Sequence, residues 1–289
     1  NSVVAYRISD FDKLQRLKKK VQKLNKNIFY DIDDYIFNYE DIKDIGFLKG
    51  KEYRNYENYT KLIKNCMTLC DGYIVSTLSL KKVIEEQFPG KMVVVNRNVA
   101  SMEMTIASLT VDKVEKDYTT LGYFSGTKTH NDDFESIKEE LLDIMRKNVN
   151  VHLLIGGQIE LPAEFNEVKD QIETFKFVAW QDLPQLIAKA DINLMPLENM
   201  KFHECKSENK WMEAALVNVP TIASWNNELA TVIKDGVDGF LCKNSEEWTN
   251  KLQQLVKNEN LRKQIAHDAH ERVMKEYMTD DMELEVFKT

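Results

Sequence analysis

Three groups of residues in this sequence have types and spacings that could bind an anion or a ligand rich in hydroxyl groups. The first group lies in residues 205–216, where Glu213 stands beside Ala214 and Ala215. These small neighbours predict a tightly packed environment, and an unpaired carboxylate is costly to bury. Glu213 could therefore accept hydrogen bonds from the hydroxyl groups of a ligand. The alternative is a surface helix whose charges lie in water.

The start of the same helix could bind a phosphate. Ser207 is a predicted N-cap, because its hydroxyl can accept from the unpaired N–H groups of the first turn. Lys206, Ser207 and the helix N-terminus would face an anion, since free N–H groups and the helix dipole favour negative charge there. Asn218 stands where a helix needs a left-handed residue, and Pro220 prevents the helix from continuing.

The second group follows a predicted strand at residues 121–124. It contains Gly126, Thr127, Lys128 and His130, and a predicted helix comes next. A glycine-bearing turn between a strand and a helix can bring backbone N–H groups onto a phosphate. Lys128 could add a positive charge. The alternative is an ordinary capped turn that binds nothing.

The third group is a pair of carboxylates, Asp33 and Asp34, directly after a predicted strand. Ligands of open α/β sheets bind at the carboxyl ends of strands. Two adjacent aspartates supply fewer oxygen ligands than a divalent cation normally takes. We therefore favour a cap of the next turn or contacts with substrate hydroxyls over a metal site.

Alternating strands and helices predict a parallel α/β fold in both halves of the chain. Strands are predicted near residues 3–6, 27–30, 72–75, 92–95, 121–124, 151–155, 175–179, 192–196, 221–223 and 240–242. Asp10 is a predicted cap of the first helix. The pattern also predicts an irregular segment over 35–51, a link between domains over 100–116 and one continuous helix over 132–147.

Composition narrows the classes of function. The chain has 289 residues, enough for two domains, and its net charge of −8 argues against a general nucleic-acid binder. A basic helix centred near Lys18 is either a solvated face or a contact with an anionic membrane surface. The cysteines are expected to be reduced and buried rather than zinc ligands, and they are Cys66, Cys70, Cys205 and Cys242.

Four motifs in fixed order resemble the donor-binding domain of a GT-B glycosyltransferase. They are residues 123–130, 206–215, 220–224 and 233–241. The resemblance is to the large retaining family with nucleotide-sugar donors, a family 4-like type, and to bacterial members that build surface polysaccharides or glycosylate proteins. It covers most of the chain, is strong over residues 121–277 and is weaker before residue 100.

The resemblance implies two Rossmann-like domains with the active site in the cleft between them. Residues 1–110 would form the acceptor-side domain, apparently shortened at its N-terminus, and residues 111–289 the donor domain. Glu213 matches the family glutamate that binds the ribose hydroxyls. The earlier glutamate of the motif would fall at Cys205, so its usual contact with the donor sugar is in doubt.

The resemblance also assigns the other candidates. Gly126 and Lys128 match the loop after the first strand of the donor domain, and Trp180 lies where the nucleotide base is usually held. Thr127, His130 and Ser207 are expected to join the donor site. Lys206 and Lys210 are the expected catalytic groups, because they would neutralise the departing diphosphate. Asp33 and Asp34 are the expected acceptor contacts.

The expected activity is metal-independent transfer of a hexose from a nucleoside diphosphate sugar to a hydroxyl acceptor. The acceptor would be a glycan, a lipid-linked glycan or a protein in bacterial glycan assembly. No cofactor besides the donor substrate is expected, and no nucleic acid. The expected location is the cytoplasm, with contact to the inner face of the membrane as an option. The alternatives are a non-catalytic partner subunit of a glycosyltransferase and a sugar-nucleotide epimerase.

Overall fold

The computed structural model describes residues 2–43, 50–112, 115–126 and 130–279 of the chain. They divide into two compact units. The first holds the described residues of 2–98 together with 199–207, and the second holds those of 99–198 and 208–279. The predicted boundary at residue 110 differs from this division, because the break falls earlier, between Asn98 and Val99. A short return to the first unit at 199–207 was not predicted.

The described part of the first unit contains a sheet of four parallel strands in the order β1-β2-β3-β4. The strands are β1 (Ser2–Tyr6), β2 (Asn27–Ile32), β3 (Gly72–Val75) and β4 (Met92–Val95). Its helices are α1 (Phe11–Lys23), α2 (Tyr39–Ile42), α3 (Gly50–Thr68), α4 (Leu78–Gln87) and, from the returning segment, α9 (Lys201–Glu204).

Helix α1 begins as the sequence predicts. The side chain of Asp10 accepts a hydrogen bond from the Lys13 N–H at 2.9 Å and caps the helix. Leu14 and Val21 are buried against the sheet, whereas Leu24 stays exposed. The buried core of the unit includes the fully enclosed rings of Tyr30 and Tyr73. The predicted irregular segment contains α2, and the part at 44–49 lies outside the described residues.

The described part of the second unit contains a sheet of six parallel strands in the order β10-β9-β8-β5-β6-β7. The strands are β5 (Thr119–Ser125), β6 (Val151–Gly157), β7 (Ile172–Phe175), β8 (Ile192–Met195), β9 (Thr221–Ser224) and β10 (Phe240–Cys242). The chain moves from β5 outward to β7 and then returns to β8 on the other side of β5. The carboxyl ends of β5 and β8 therefore flank a topological switch point, where ligands of such sheets bind.

The helices of the second unit cover both faces of this sheet. They are α5 (Met102–Leu109), α6 (Asn131–Glu135), α7 (Lys138–Lys147), α8 (Leu183–Ile187), α10 (Asn209–Leu216), α11 (Asn227–Val232), α12 (Ser245–Lys257) and α13 (Glu259–Glu276), with a 3-10 helix at Ala163–Gln171. In the described ranges no helix combines the length and apolar character needed to cross a membrane.

Three sequence predictions in this unit are wrong. Residues 100–116 contain α5, whose N-cap Ser101 accepts from the Met104 N–H at 3.2 Å. The predicted helix over 132–147 is two helices, α6 and α7. The strand predicted at 175–179 lies instead over Ile172–Phe175 and ends at Phe175.

Helix α10 also begins differently from the prediction. Ser207 is not the N-cap, because the helix starts at Asn209 and Glu208 takes the cap position without a side-chain cap bond. Glu208 is buried and instead accepts from the Tyr277 hydroxyl at 2.9 Å. At the other end Asn218 has a φ of 54°, which confirms the predicted left-handed residue.

Candidate functional site

A cavity of about 290 Å³ lies at the carboxyl ends of β5, β6 and β7, beside the first turns of α10. All of its lining residues belong to the second unit. Four residues singled out from the sequence line it together, and they are Gly126, Trp180, Lys210 and Glu213. Gly126 follows β5, Trp180 follows β7, and Lys210 and Glu213 lie on α10. The fold therefore brings predicted donor residues from three segments of the chain to one place.

Two glycines at the end of β6 shape the wall of the cavity. Gly157 has a φ of +109°, and a Cβ there would lie 1.7 Å from the carbonyl oxygen of Ser125 at the end of β5. A Cβ on Gly156 would lie 2.8 Å from a ring carbon of Phe124. Only glycine fits these two close approaches, which let the ends of β5 and β6 meet beneath the cavity.

Glu213 is the fifth residue of α10 and is enclosed by protein. Ala214 and Ala215 behind it are fully buried, as their small size predicted. Burial raises the pKa of the Glu213 carboxyl to about 7, and attraction to Lys210 opposes this only in part. None of the described residues donates a hydrogen bond to this carboxylate. Its remaining acceptor capacity is available to a ligand in the cavity.

Lys210 lies one turn before Glu213 on the same face of α10. Its ammonium nitrogen is 4.7 Å from the centroid of the Tyr123 ring, a cation–π contact. Tyr123 is fully buried and donates from its hydroxyl to the His130 carbonyl at 2.9 Å. The cation–π contact thus holds the Lys210 ammonium beside the carboxyl end of β5.

Two aromatic side chains form the opposite side of the cavity. Phe177 and Trp180 follow β7 and remain 62% and 46% exposed, although both line the cavity with Val178 between them. Exposed rings beside an enclosed carboxylate and a lysine offer surfaces on which a flat heterocycle can stack. The sequence pointed to Trp180, whereas Phe177 was hidden in a strand prediction that ended too late.

Among the described residues, the other predicted candidates His130, Lys206 and Ser207 do not line this cavity. Thr127 and Lys128 lie outside the described residues. His130 precedes α6, and its Nδ1 lies 2.8 Å from Asp133. Lys206 and Ser207 belong to the first unit, where the Lys206 ammonium lies 4.8 Å from the Phe202 ring centroid and Ser207 accepts from Asn98 at 3.0 Å.

Asp33 and Asp34 in the first unit have a partner that the sequence did not reveal. Arg7 lies 2.7 Å from an Asp33 carboxylate oxygen through its Nε and also pairs with Asp34. It sits at the end of β1 with a φ of 45°, next to the end of β2. Neither aspartate caps a helix, since Asn38 holds the N-cap position of α2. The predicted cap role is wrong, and contacts with substrate hydroxyls stay a prediction.

The cysteine prediction can be compared directly. All four cysteines are free thiols and buried. Cys205, which replaces the first glutamate of the family motif, is in the first unit and accepts at its carbonyl from the Thr77 hydroxyl at 3.1 Å. Its side chain offers no carboxylate, so this position cannot supply the contact that the family motif implies.

One family model matches the part of the chain that contains the cavity. Residues 119–258 match the model of the family described as Glycosyl transferases group 1. No curated protein sequence matches the chain. All the residues that line the cavity fall within the matched range.

Solved structures share the fold at low sequence identity. A TarM mutant from S. aureus, in complex with Fondaparinux, alpha-GlcNAc-glycerol and UDP, has a TM-score of 0.62 and 15% identity over 89% of this chain and 49% of its own. HepE from Anabaena in complex with UDP has a TM-score of 0.67 and 14% identity, over 96% of this chain and 75% of its own. A glycosyltransferase from Rickettsia africae has a TM-score of 0.65 and 13% identity, over 96% of this chain and 80% of its own.

The chain spans 49% of the length of the TarM structure and a larger share of the other two. Two parallel sheets, each in its own unit, agree with two Rossmann-like domains. The chain has the fold of GT-B glycosyltransferases, and residues 119–258 of its second unit match the family model described as Glycosyl transferases group 1.

Proposed function

We propose that the protein transfers a hexose from a nucleoside diphosphate sugar to a hydroxyl acceptor. The observation that carries this proposal is the pairing of Lys210 and Glu213 on one face of α10, inside a cavity of the glycosyl transferases group 1 domain. Lys210 and Glu213 lie one helical turn apart. The lysine suits the diphosphate of such a donor, and the carboxylate suits the ribose hydroxyls. Structures with this fold carry UDP, and one HepE structure carries UDP-glucose.

Different residues of the cavity bind different parts of the donor in this proposal. Glu213 accepts from the ribose hydroxyls, and Phe177 and Trp180 provide faces for the base. Breaking the bond between the sugar and the diphosphate places negative charge on the departing phosphate. Lys210 and the N-terminus of α10 stabilise that charge by electrostatics that are already oriented. We propose that they do so without a divalent metal or any cofactor.

The acceptor contacts are proposed for the first unit. Arg7 neutralises part of the charge of Asp33 and Asp34 and fixes their orientation. The side chains stay about one-third exposed, at 32% and 36%. Carboxylates held in this way can still accept hydrogen bonds from acceptor hydroxyls with their remaining lone pairs. We propose a glycan, lipid-linked or protein acceptor in bacterial glycan assembly.

Helix α1 supports a proposed location at the inner face of the cytoplasmic membrane. Its exposed cations are Lys13, Arg16, Lys19, Lys20 and Lys23. Lys18 is different, because it bonds to the Leu69 carbonyl. Sedimentation with vesicles that contain anionic lipid should fall when Lys19, Lys20 and Lys23 are changed to Gln, and should be weaker at high salt. Equal sedimentation with neutral and anionic vesicles would contradict the proposal.

Cys205 favours a second candidate, a non-catalytic partner subunit of a glycosyltransferase. The chain lacks the first glutamate of the family motif at this position. A partner subunit would bind nucleotide or another protein without turning over a donor. Activity of the isolated chain separates the two candidates.

The test of the proposed function is release of nucleoside diphosphate from a panel of UDP-, GDP-, dTDP- and ADP-sugars in the presence of EDTA. We expect turnover of one donor class, with at least a tenfold loss in the Lys210→Gln variant. Glu271→Gln changes an exposed carboxylate of α13 and serves as the matched surface control for a carboxylate variant, Glu213→Gln. Nucleotide binding without any turnover would favour the partner subunit, and turnover only with Mg²⁺ would contradict metal independence.

A further inference from the structure

The chain has four tryptophans, and one of them is exposed for no reason that the donor cavity supplies. Trp211 and Trp248 are buried in the core, and Trp180 lines the donor cavity. Trp225 follows β9, is 39% exposed and is not among the residues that line that cavity. An indole left in water forgoes the gain of burying a large apolar surface. The exposure of Trp225 therefore points to a role of its own.

The backbone around Trp225 is held on both sides. Its N–H donates to the Cys242 carbonyl, at the end of β10, at 2.7 Å. The next residue, Asn226, is buried, and its side chain caps α11 by accepting the Leu229 N–H at 2.7 Å. The exposed ring thus projects from a fixed backbone position. A ligand that meets it loses little free energy to ordering of the protein.

Trp225 lies on the wall of a cavity of about 630 Å³ that is formed by α11, the turn after it and α12. The charged side chains of the lining are Lys234, Asp235, Lys243, Glu247 and Lys251. The Lys243 ammonium lies 5.1 Å from the centroid of the Trp225 ring, a cation–π contact. The cavity therefore presents an aromatic ring and cations side by side.

The two carboxylates of this lining are already engaged. Both oxygens of Asp235 lie 2.9 Å from the Lys251 ammonium. Glu247 accepts the Lys243 N–H at 3.0 Å and lies 4.0 Å from the same Lys251 ammonium. Within the described ranges, Lys234 and Lys243 form no ion pair, and both residues are exposed. These two lysines are thus the cations that the cavity offers to a ligand.

An exposed indole beside two such cations fits a saccharide that carries carboxylates. The C–H bonds on the face of a sugar ring carry partial positive charge and pack against the negative face of an aromatic ring. Carboxylates on the same saccharide form charge-assisted hydrogen bonds with lysines. An apolar peptide would leave both cations unmatched, and a small inorganic anion would leave the indole in water.

A single-stranded nucleic acid fits this cavity less well. Proteins that bind such strands stack successive bases on several aromatic side chains. The lining of this cavity holds one aromatic ring, that of Trp225. The net charge of the chain, −8, also gives no general attraction to a nucleic acid.

We propose that Trp225, Lys234 and Lys243 form a binding surface for an acidic saccharide, separate from the donor cavity. The surface goes beyond the proposed function and rests on it only for the expectation that the protein handles glycans. The indole takes the C–H face of one sugar ring, and the two lysines take carboxylates of that sugar or of its neighbour. Binding at this surface makes and breaks no covalent bond.

Digalacturonic acid and its dimethyl ester are the two probes, because they share both sugar rings and differ in charge. The indole ¹⁵N–¹H signal of Trp225, assigned by its loss in Trp225→Phe, reports where the acid binds, and calorimetric titration gives the affinities. We expect the wild-type protein to bind the acid at least tenfold more tightly than the ester, and less tightly as salt is added.

Variants separate the ring from the cations. Trp225→Ala should weaken binding of the acid at least tenfold, with Trp225→Phe between it and the wild type. The double variant Lys234→Gln with Lys243→Gln should bind the acid only as well as the ester. Lys257→Gln removes an exposed cation of α12 outside the lining and should behave like the wild type. Melting temperature and UDP affinity should stay at the wild-type values in all of them.

The outcomes distinguish this surface from the donor site. No binding of the acid, equal wild-type affinity for acid and ester, or unchanged affinity in Trp225→Ala would overturn the inference, and intact UDP binding would then preserve the donor site. Tighter binding of a uridine oligonucleotide than of the acid at Trp225 would assign the surface to nucleic acid and overturn the inference as well. Binding of the acid at Trp225 without any binding of UDP would contradict the donor site and support the surface.

Discussion

The ammonium nitrogen of Lys210 lies 4.7 Å from the centre of the Tyr123 ring. Tyr123 belongs to β5, which lies between β8 and β6 in the second sheet. The cation–π contact places the ammonium beside the cavity that Lys210 lines. The cation is also held in place through its backbone, because the Lys210 carbonyl accepts from the Asn193 side chain at 3.1 Å. A lysine restrained in this way can stabilise developing phosphate charge with little reorganisation.

Replacing Lys210 by Met should therefore affect the charged part of the donor. We expect UDP affinity to fall tenfold to a hundredfold and uridine affinity to change less than threefold. The substitution removes the positive charge proposed to meet the diphosphate and leaves the cavity wall unchanged. Calorimetric titration measures both. Tyr123→Phe is the matched control, since it keeps the ring face and removes only the hydroxyl. Equal losses for UDP and uridine in Lys210→Met would contradict the phosphate role.

The pKa of Glu213 predicts a specific dependence of folding stability on pH. The folded protein holds the proton of this carboxyl up to about pH 7, above the ordinary value of 4.5. Stability contributed by the group is thus highest below the unfolded pKa and declines as the pH rises towards 7, by at most about 3 kcal/mol. Urea unfolding of Glu213→Gln should lose this decline. A wild-type and variant difference that is constant from pH 4.5 to 7.5 would contradict it.

Ribose binding should follow the opposite trend. The ionised carboxylate is the stronger acceptor for hydroxyl groups. Uridine affinity should therefore rise between pH 6 and pH 8 in the wild-type protein and stay flat in Glu213→Gln. Titration followed by NMR at several pH values measures this. A parallel rise in the Glu213→Gln variant would assign the pH dependence to another group.

The close approach at the end of β6 predicts a severe effect of Gly157→Ala. A Cβ would overlap the Ser125 carbonyl oxygen at 1.7 Å and require a φ of +109°. We expect a loss of at least about 3 kcal/mol of unfolding free energy, or failure to fold. Gly236→Ala is the control, because its φ of +78° is also unfavourable but its Cβ would meet only a Phe240 ring carbon, at 3.8 Å. That change should cost about 1 kcal/mol. Similar losses in both variants would contradict the steric argument.

The hydrogen bond from Tyr277 to Glu208 should stabilise the start of α10. Tyr277→Phe keeps the ring against Trp211, where the centroids are 5.5 Å apart, and removes the hydroxyl at 2.9 Å from a buried carboxylate. We expect a loss of about 1–3 kcal/mol. Thermal and urea unfolding measure it. A change below about 0.5 kcal/mol would show that water or another group replaces the hydroxyl.

The sequence was sufficient for nine of the ten described strands, because strands of parallel sheets are often short continuous apolar runs between turn residues. The exception is β7, which is short and only partly buried. It was also sufficient for Glu213, whose alanine neighbours indicated enclosure. It failed where a distant contact decides the local structure. Tyr277 donates to Glu208 from far along the chain, so the true N-cap of α10 could not be found from local pattern.

The partners of charged side chains could not be predicted from the sequence either. Arg7 and Asp33 are far apart in sequence and meet only because β1 and β2 are adjacent in the sheet. Asp133 looked like one more acidic residue at the start of a helix. Its burial, and its bond to the Glu198 N–H, depend on the return of the chain from β7 to β8.

The most direct test of the account is calorimetric titration of the wild-type protein and of Glu213→Gln with UDP in the presence of EDTA. We predict binding to the wild-type protein without metal and at least a tenfold weaker affinity in the variant, with Glu271→Gln like the wild type. Unchanged UDP affinity in Glu213→Gln, or binding that appears only when Mg²⁺ is added, would contradict the donor site described for α10.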